Sequence, residues 1–189
     1  MGDRAWSERW ALRNVNTDID RIKPIENVLA GSLSSFRITH ASIDNLTHND
    51  QPFGFNYSFE SEGYAKNAGN LLLVRPRVIG SKSSGLLETK EPRQFRIEFE
   101  GPVFDVDTFD IGLPAGYEVD DVPPPVDADI GFASYHPKTE VRGNTVSYTR
   151  IFEVKELTVP VSKVEDLKKF YRTIAGDERN TVVLKPTSK

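Results

Sequence analysis

The sequence predicts a mainly β protein, an antiparallel β-sandwich of about nine strands with an N-terminal helix and a C-terminal helix over residues 162–175. Three observations carry this. "FGFNYSFE" alternates Phe53, Phe55, Tyr57 and Phe59 with Gly54, Asn56, Ser58 and Glu60, the period of a half-buried strand. "TEVRGNTVSYTRIFEV" reads as two strands joined at Gly143-Asn144, a pairing suited to a tight hairpin turn. "VSKVEDLKKFYRTIAGDE" repeats apolar residues at helical spacing behind a Ser162–Glu165 capping box.

Residues 1–17 are polar and form a leader or linker. On a helix Trp6 and Trp10 would share a face, beside Arg4, Arg9 and Arg13; a solvated, frayed leader is equally compatible. From 18 to 189 the chain reads as a single domain. Its first element is helical in its second half, with Ile25, Val28, Leu29 and Leu33 in register and Pro24 suited to the first turn. The aromatic stripe of 53–59 is expected to be core, the alternative being a ligand-stacking platform.

"NLLLV" at 70–74 is apolar on both faces, as in a strand interior to a sheet, and Pro76 ends or bulges it. "GSKSSG" at 80–85 reads as a flexible loop. In "RQFRIEFE" Phe95, Ile97 and Phe99 are expected to point inward. Phe109, Ile111 and Leu113 form a strand, Pro114-Ala115-Gly116 a turn with proline in its second position, and Tyr117 and Val119 the returning strand. Pro123–Pro125 end the pairing and guard the sheet edge.

Val146, Tyr148, Phe152 and Val154 share a face that includes Arg150, either a strand-edge side chain reaching for water or a buried ion-pair partner. Val164, Leu167, Phe170, Tyr171 and Ile174 are the buried stripe of the last helix, with Lys163, Lys168, Lys169 and Arg172 outward and Gly176 as its stop. "NTVVLKP" is a final strand.

Function classes narrow by what the residues offer. The chain has 24 basic and 28 acidic residues and no basic stripe, which argues against a nucleic-acid partner. It has no cysteine, so thiol nucleophiles and thiolate metal sites are excluded. No apolar run approaches membrane-spanning length, and "MGDRAWSERW" lacks the apolar core of a signal peptide and the myristoylation pattern.

His40, His48 and His136 lack metal-ligand spacing, and no nucleophile elbow, phosphate loop or dinucleotide fingerprint occurs. Asp105, Asp107 and Asp110 fail the calcium-loop template at Asp110 and Gly116, while Asp120, Asp121, Asp127 and Asp129 either gather around an ion or solubilise a rim. The acidic flanks of the triple proline disfavour a docking peptide, and "LPAGY" departs from a sorting signal at Gly116 and Tyr117. No catalytic, cofactor or metal residue is therefore assigned, and the chain reads as a non-enzyme.

Three segments, "YAKNAGNLLLVRPRVIG", "PRQFRIEFEGPVFDVDTFDIGLPAGYEVDDVPPPV" and "YTRIFEVKELTVPVSKVEDLKKFYRTIAGDERNTVVL", resemble the C-terminal domain of bacterial multidomain transglutaminase-like proteins, over residues 64–185. The preceding "FRITHASIDNLTHNDQPFGFNYSFESEG" resembles it more loosely. The resemblance implies a β-sandwich without established activity. It also implies a neighbouring transglutaminase-like core as partner and a periplasmic or extracellular parent. The catalytic Cys-His-Asp chemistry of such proteins lies in that core, so no catalytic residue transfers to this chain. The expected role is an accessory domain that packs on or positions the core; the alternative is an independent binding module for envelope polymer, carbohydrate or peptide.

Overall fold

The computed structural model of the chain describes residues 3–83 and 92–187. They divide into two compact units, Met1–Tyr64 and Ala65–Lys189. The break falls where the family resemblance begins, whereas the sequence pattern draws its boundary after residue 17.

The first unit holds α1 (Asp3–Arg13), α2 (Asp18–Ala30), β1 (Arg37–Asp44) and β2 (Gly54–Glu60). The leader is thus helical. Helix α2 starts earlier than its apolar spacing suggests, because Thr17 caps it by accepting the Asp20 N–H at 3.2 Å. Pro24 consequently lies inside the helix and not in its first turn. Ile25, Leu29 and Leu33 are buried as expected, but Val28 faces solvent. Strands β1 and β2 pair antiparallel, Ile43 opposite Phe55 and Ala41 opposite Tyr57. The β2 stripe is half-buried on its aromatic face, with Phe53 set edge-on to Phe55 and Tyr57 stacked on Phe59.

The second unit contains β3 (Lys66–Ala68), β4 (Leu71–Val74), β5 (Ile97–Glu98), β6 (Val103–Gly112), β7 (Tyr117–Asp121), β8 (Ala128–Asp129), β9 (Ala133–Arg142), β10 (Thr145–Val154) and β11 (Thr158–Val159). A 3-10 turn at Val161–Lys163, helix α3 (Val164–Asp177) and β12 (Val182–Pro186) complete it. The described residues thus form twelve strands, more than the sequence count because β5, β8 and β11 are only two residues long.

One sheet has the order β6-β10-β9-β8 and another β3-β4-β12-β7; β11 pairs β5 in a third, and every pairing is antiparallel. Strand β4 is interior to its sheet, as its two apolar faces suggest, and stops before Pro76. The two four-stranded sheets present Val74, Val182 and Leu184 on one side and Ile111 and Val146 on the other to a shared apolar space. Their face-to-face packing matches the expected sandwich. Helix α3 places Val164, Leu167, Phe170, Tyr171 and Ile174 against Tyr135, Phe152 and Val154 of the first sheet.

Several local expectations change. "FDIGLPAGYEVDD" does not return on itself: β6 belongs to one sheet and β7 to the other, so the turn is a corner between sheets. Tyr117 N–H bonds Pro114 O at 3.2 Å, which makes Pro114 the first turn residue and places Gly116 third, at φ +80°. The corner is tied on both sides, Leu113 N–H to Asn144 O at 2.9 Å and Thr187 N–H to Gly116 O at 2.9 Å. Phe95 points to solvent at 78% exposure because the pairing around it shrinks to Ile97–Glu98. No side-chain cap bond forms at the start of α3; Ser162 falls inside the 3-10 turn, so the capping box is not made. The helix also runs through Gly176 to Asp177, and Lys168 is largely covered beside Glu165.

Candidate functional site

The most unusual chemistry of the second unit is a buried charged cluster on the inner face of β6 and β10. It follows from strand parity. Asp105 and Asp107 share a face with Phe109 and Ile111, so both acids turn inward while Phe104 and Val106 turn outward. Arg150 lies directly opposite Asp107 in the β10–β6 register and is 1% exposed. Its Nε donates to Asp107 Oδ2 at 2.7 Å and its Nη1 to Glu178 Oε1 at 3.0 Å. The alternatives for Arg150 thus resolve to the buried ion pair.

Glu178, which caps the end of α3, gathers the 81–83 loop. Ser81 Oγ and Ser83 Oγ donate to its Oε2 at 2.6 and 2.5 Å, and Lys82 N–H donates to Oε1 at 2.6 Å. Lys82 Nζ reaches Asp105 Oδ2 at 2.6 Å and Asp107 Oδ2 at 3.6 Å. Gly80, at φ +72°, carries the loop across the guanidinium; a Cβ there would sit 3.3 Å from Arg150 Nη2. This loop is therefore fastened through Ser83; Ser84 and Gly85 of the expected flexible stretch lie outside the described residues. Beside the cluster, Tyr135 and Tyr148 hydroxyls both donate to Asp177 Oδ2, at 2.7 and 3.0 Å.

Burial pushes the Glu178 carboxyl up, but the two hydroxyls, the Lys82 amide and the Arg77 charge outweigh it and hold the group below its ordinary value. Burial likewise favours neutral Arg150, and the Asp107 pair reverses this, so its pKa is raised. Burial raises both Tyr135 and Tyr148, which stay neutral phenols. Arg77, Lys82 and Arg150 balance Asp105, Asp107 and Glu178 in sign. Ser81 and Ser83 donate to a carboxylate that resists protonation, a poor base for activating a hydroxyl. This arrangement suits fastening a loop and a helix end to a sheet.

The acids singled out in the sequence disperse. Asp120 pairs with Lys185 at 2.9 Å, Asp127 with His136 at 2.8 Å, and Asp129 with Lys155 at 3.4 Å and the Gly131 N–H at 2.7 Å. Asp127, Asp129 and Asp166 border an open groove of about 320 Å³ between β8 and α3. His40 and His48 are exposed in the first unit. Trp6 and Trp10 stack with centroids 5.8 Å apart and are 57% and 59% exposed. Arg9, one turn after Trp6 on α1, is buried: it donates to Asn45 O at 3.0 Å and Gln51 O at 2.6 Å, and lies 5.3 Å over Phe53.

Ser81, Lys82, Ser83, Asp177 and Glu178 escape sequence reasoning. The available signal was parity: two acids and one arginine placed by alternation on apolar inward faces demand partners. Among the described residues no helix is long and apolar enough to cross a membrane.

A model of a family described as a domain of unknown function with solved structure, DUF3858, matches residues 70–184. No curated protein matches the sequence. A crystal structure of a candidate protease of Parabacteroides distasonis is similar over 56% of this chain and 21% of its own, at 14% identity and a TM-score of 0.47. The chain thus spans about a fifth of the length of that protein.

Proposed function

The chain belongs to the DUF3858 family of domains of unknown function, and from that premise we propose that it is a non-catalytic accessory domain of a transglutaminase-like protein, packing on or positioning the catalytic core. The observation that carries this reading is the inverted strand β6. Asp105 and Asp107 are directed inward to Lys82 and Arg150, while Phe104 and Val106, 67% and 53% exposed, are directed outward. Exposed apolar side chains grouped on one strand mark contact surfaces. The sequence resemblance supplies the neighbour, a transglutaminase-like core in a periplasmic or extracellular parent.

The test is to add the domain to the separately produced core of its parent protein. Binding to the core or a change in its activity is expected, and both should be lost in Phe104→Asp/Val106→Asp. A wild-type domain that neither binds nor alters the core overturns the reading.

The Trp6–Trp10 stack favours a second reading, an independent module for envelope polymer, carbohydrate or peptide. Two exposed, near-parallel indoles offer apolar faces to a ligand. Titration with soluble cell-wall glycan fragments should then shift tryptophan fluorescence, and Trp10→Ala should remove the shift. No change in the wild-type chain counts against this reading.

A further inference from the structure

We infer that β6 is an acceptor edge for an added antiparallel strand whose side chains alternate between basic and apolar opposite residues 103–107. This deepens the proposed docking role by naming the mode of contact and the chemistry of the partner segment. Strand β6 is ten residues long and terminates its sheet, and among the described residues only β10 pairs with it. Edge strands are usually short or guarded, since their free N–H and C=O groups template further pairing. On β6 the outward side chains nearest its start, Phe104 and Val106, are exposed and apolar, with half-buried Ile151 beside Val106 on β10.

Charge selects the occupant. "VFDVDTFDIG" has three acids and no cation. The Asp105 and Asp107 side chains keep 33% and 31% exposure although each already meets a cation of this domain. Residues opposite one another in an antiparallel pair share a face. An incoming strand therefore meets Asp105 and Asp107 on its inner face, where Lys or Arg is favoured. It meets Phe104 and Val106 on its outer face, where apolar residues are favoured. Beyond Asp107 the pattern reverses, with Phe109 and Ile111 inward and Thr108 and Asp110 outward, so the segment opposite them is apolar inside and polar or basic outside. A second copy of β6 is disfavoured, because it brings three acids and no cation to Asp105 and Asp107. The partner is an extended segment of a neighbouring domain with that alternation, bound by strand addition.

The probe is the ten-residue peptide TVKVTKVKVT, which in antiparallel register sets lysine opposite Asp110, Asp107 and Asp105 and valine opposite Ile111, Phe109, Val106 and Phe104. Its controls are the same peptide with glutamate for lysine and the lysine peptide N-methylated at every second residue. The full chain is titrated with each, and amide hydrogen exchange is followed along the chain. The lysine peptide should bind and slow exchange within 103–112, with the glutamate peptide at least about tenfold weaker. N-methylation should abolish binding on one strand edge by removing its backbone donors. Equal binding of the methylated peptide, protection elsewhere than β6, or no binding overturns strand addition. Phe104→Asp/Val106→Asp still losing the core in that case would leave the docking face intact and reject only the strand mode.

Discussion

Arg150 on β10 and Glu178 at the end of α3 meet at 3.0 Å with side chains 2% and 5% exposed, joining sheet to helix through a bond sealed from water. Breaking such a pair from one side leaves the other charge buried. Arg150→Met should therefore cost about 3–5 kcal/mol, read from urea unfolding. Arg150→Met/Asp107→Asn/Glu178→Gln, which removes the stranded charges as well, should recover part of the loss. A single variant as stable as the parent would show that the cluster contributes no net stability.

The same carboxyl gives the fold an acid limit. Glu178 has a folded pKa below its ordinary 4.5, so the folded state favours the ionised form. Its contribution is fully present above the ordinary value and is lost as pH falls through the lowered one. Urea midpoints measured from pH 7 down to pH 3 should fall over that range. In Glu178→Gln the midpoint at pH 7 should be lower and the acid slope shallower. An unchanged slope would assign acid sensitivity to other carboxylates.

What was legible in the sequence was what depends on near neighbours. The buried stripe of α3 and the β9–β10 hairpin follow from period alone, and the hairpin register at Gly143-Asn144 needs no distant partner. The corner at Pro114–Gly116 has the sequence of a turn with a returning strand because turn chemistry is local, whereas the sheet that receives β7 is decided by β12, far along the chain. The cluster was missed for the same reason. Ser81 and Glu178 are 97 residues apart, and "GDE" after an apolar stripe looks like a helix ending. Phe95 shows the converse: alternation continues in the sequence where only two residues find a pairing strand.

The corner itself is testable. At Gly116 an added Cβ would have nothing within 4 Å, so any cost of a side chain arises from the backbone at φ +80°. Gly116→Val should destabilise by about 1–3 kcal/mol, and Gly116→Asn, which tolerates left-handed backbone, by less. Pro124 is exposed beyond the end of β7, and Pro124→Ala should stay within about 0.5 kcal/mol of the parent. Equal, small melting shifts for Gly116→Val and Pro124→Ala would reject the turn geometry.

Alkaline titration probes the phenols at Asp177. Burial raises Tyr135 and Tyr148 above the ordinary 10.0, so the folded state favours their neutral forms. That contribution is present below pH 10 and is lost as pH climbs toward the raised values. Phenolate absorbance should show these two ionising after the remaining tyrosines, together with unfolding. Tyr135→Phe should remove one late-titrating group and weaken the fold, since it deletes a donor to a buried carboxylate. Six tyrosines titrating together in the folded chain would contradict the arrangement.

Helix α1 separates structural from exposed groups on one short element. Arg9 fastens it to the Asn45 and Gln51 carbonyls and lies over Phe53, whereas Trp6 and Trp10 at neighbouring positions are exposed. Arg9→Ala removes both bonds and should cost about 1–3 kcal/mol, seen as a lower melting temperature. Trp6→Ala and Trp10→Ala should leave melting nearly unchanged, while in the parent both indoles are quenched by acrylamide. Shielded indoles, or a larger melting loss from Trp10→Ala than from Arg9→Ala, would mean that the tryptophan face is packed in solution and Arg9 is not the group that holds the helix.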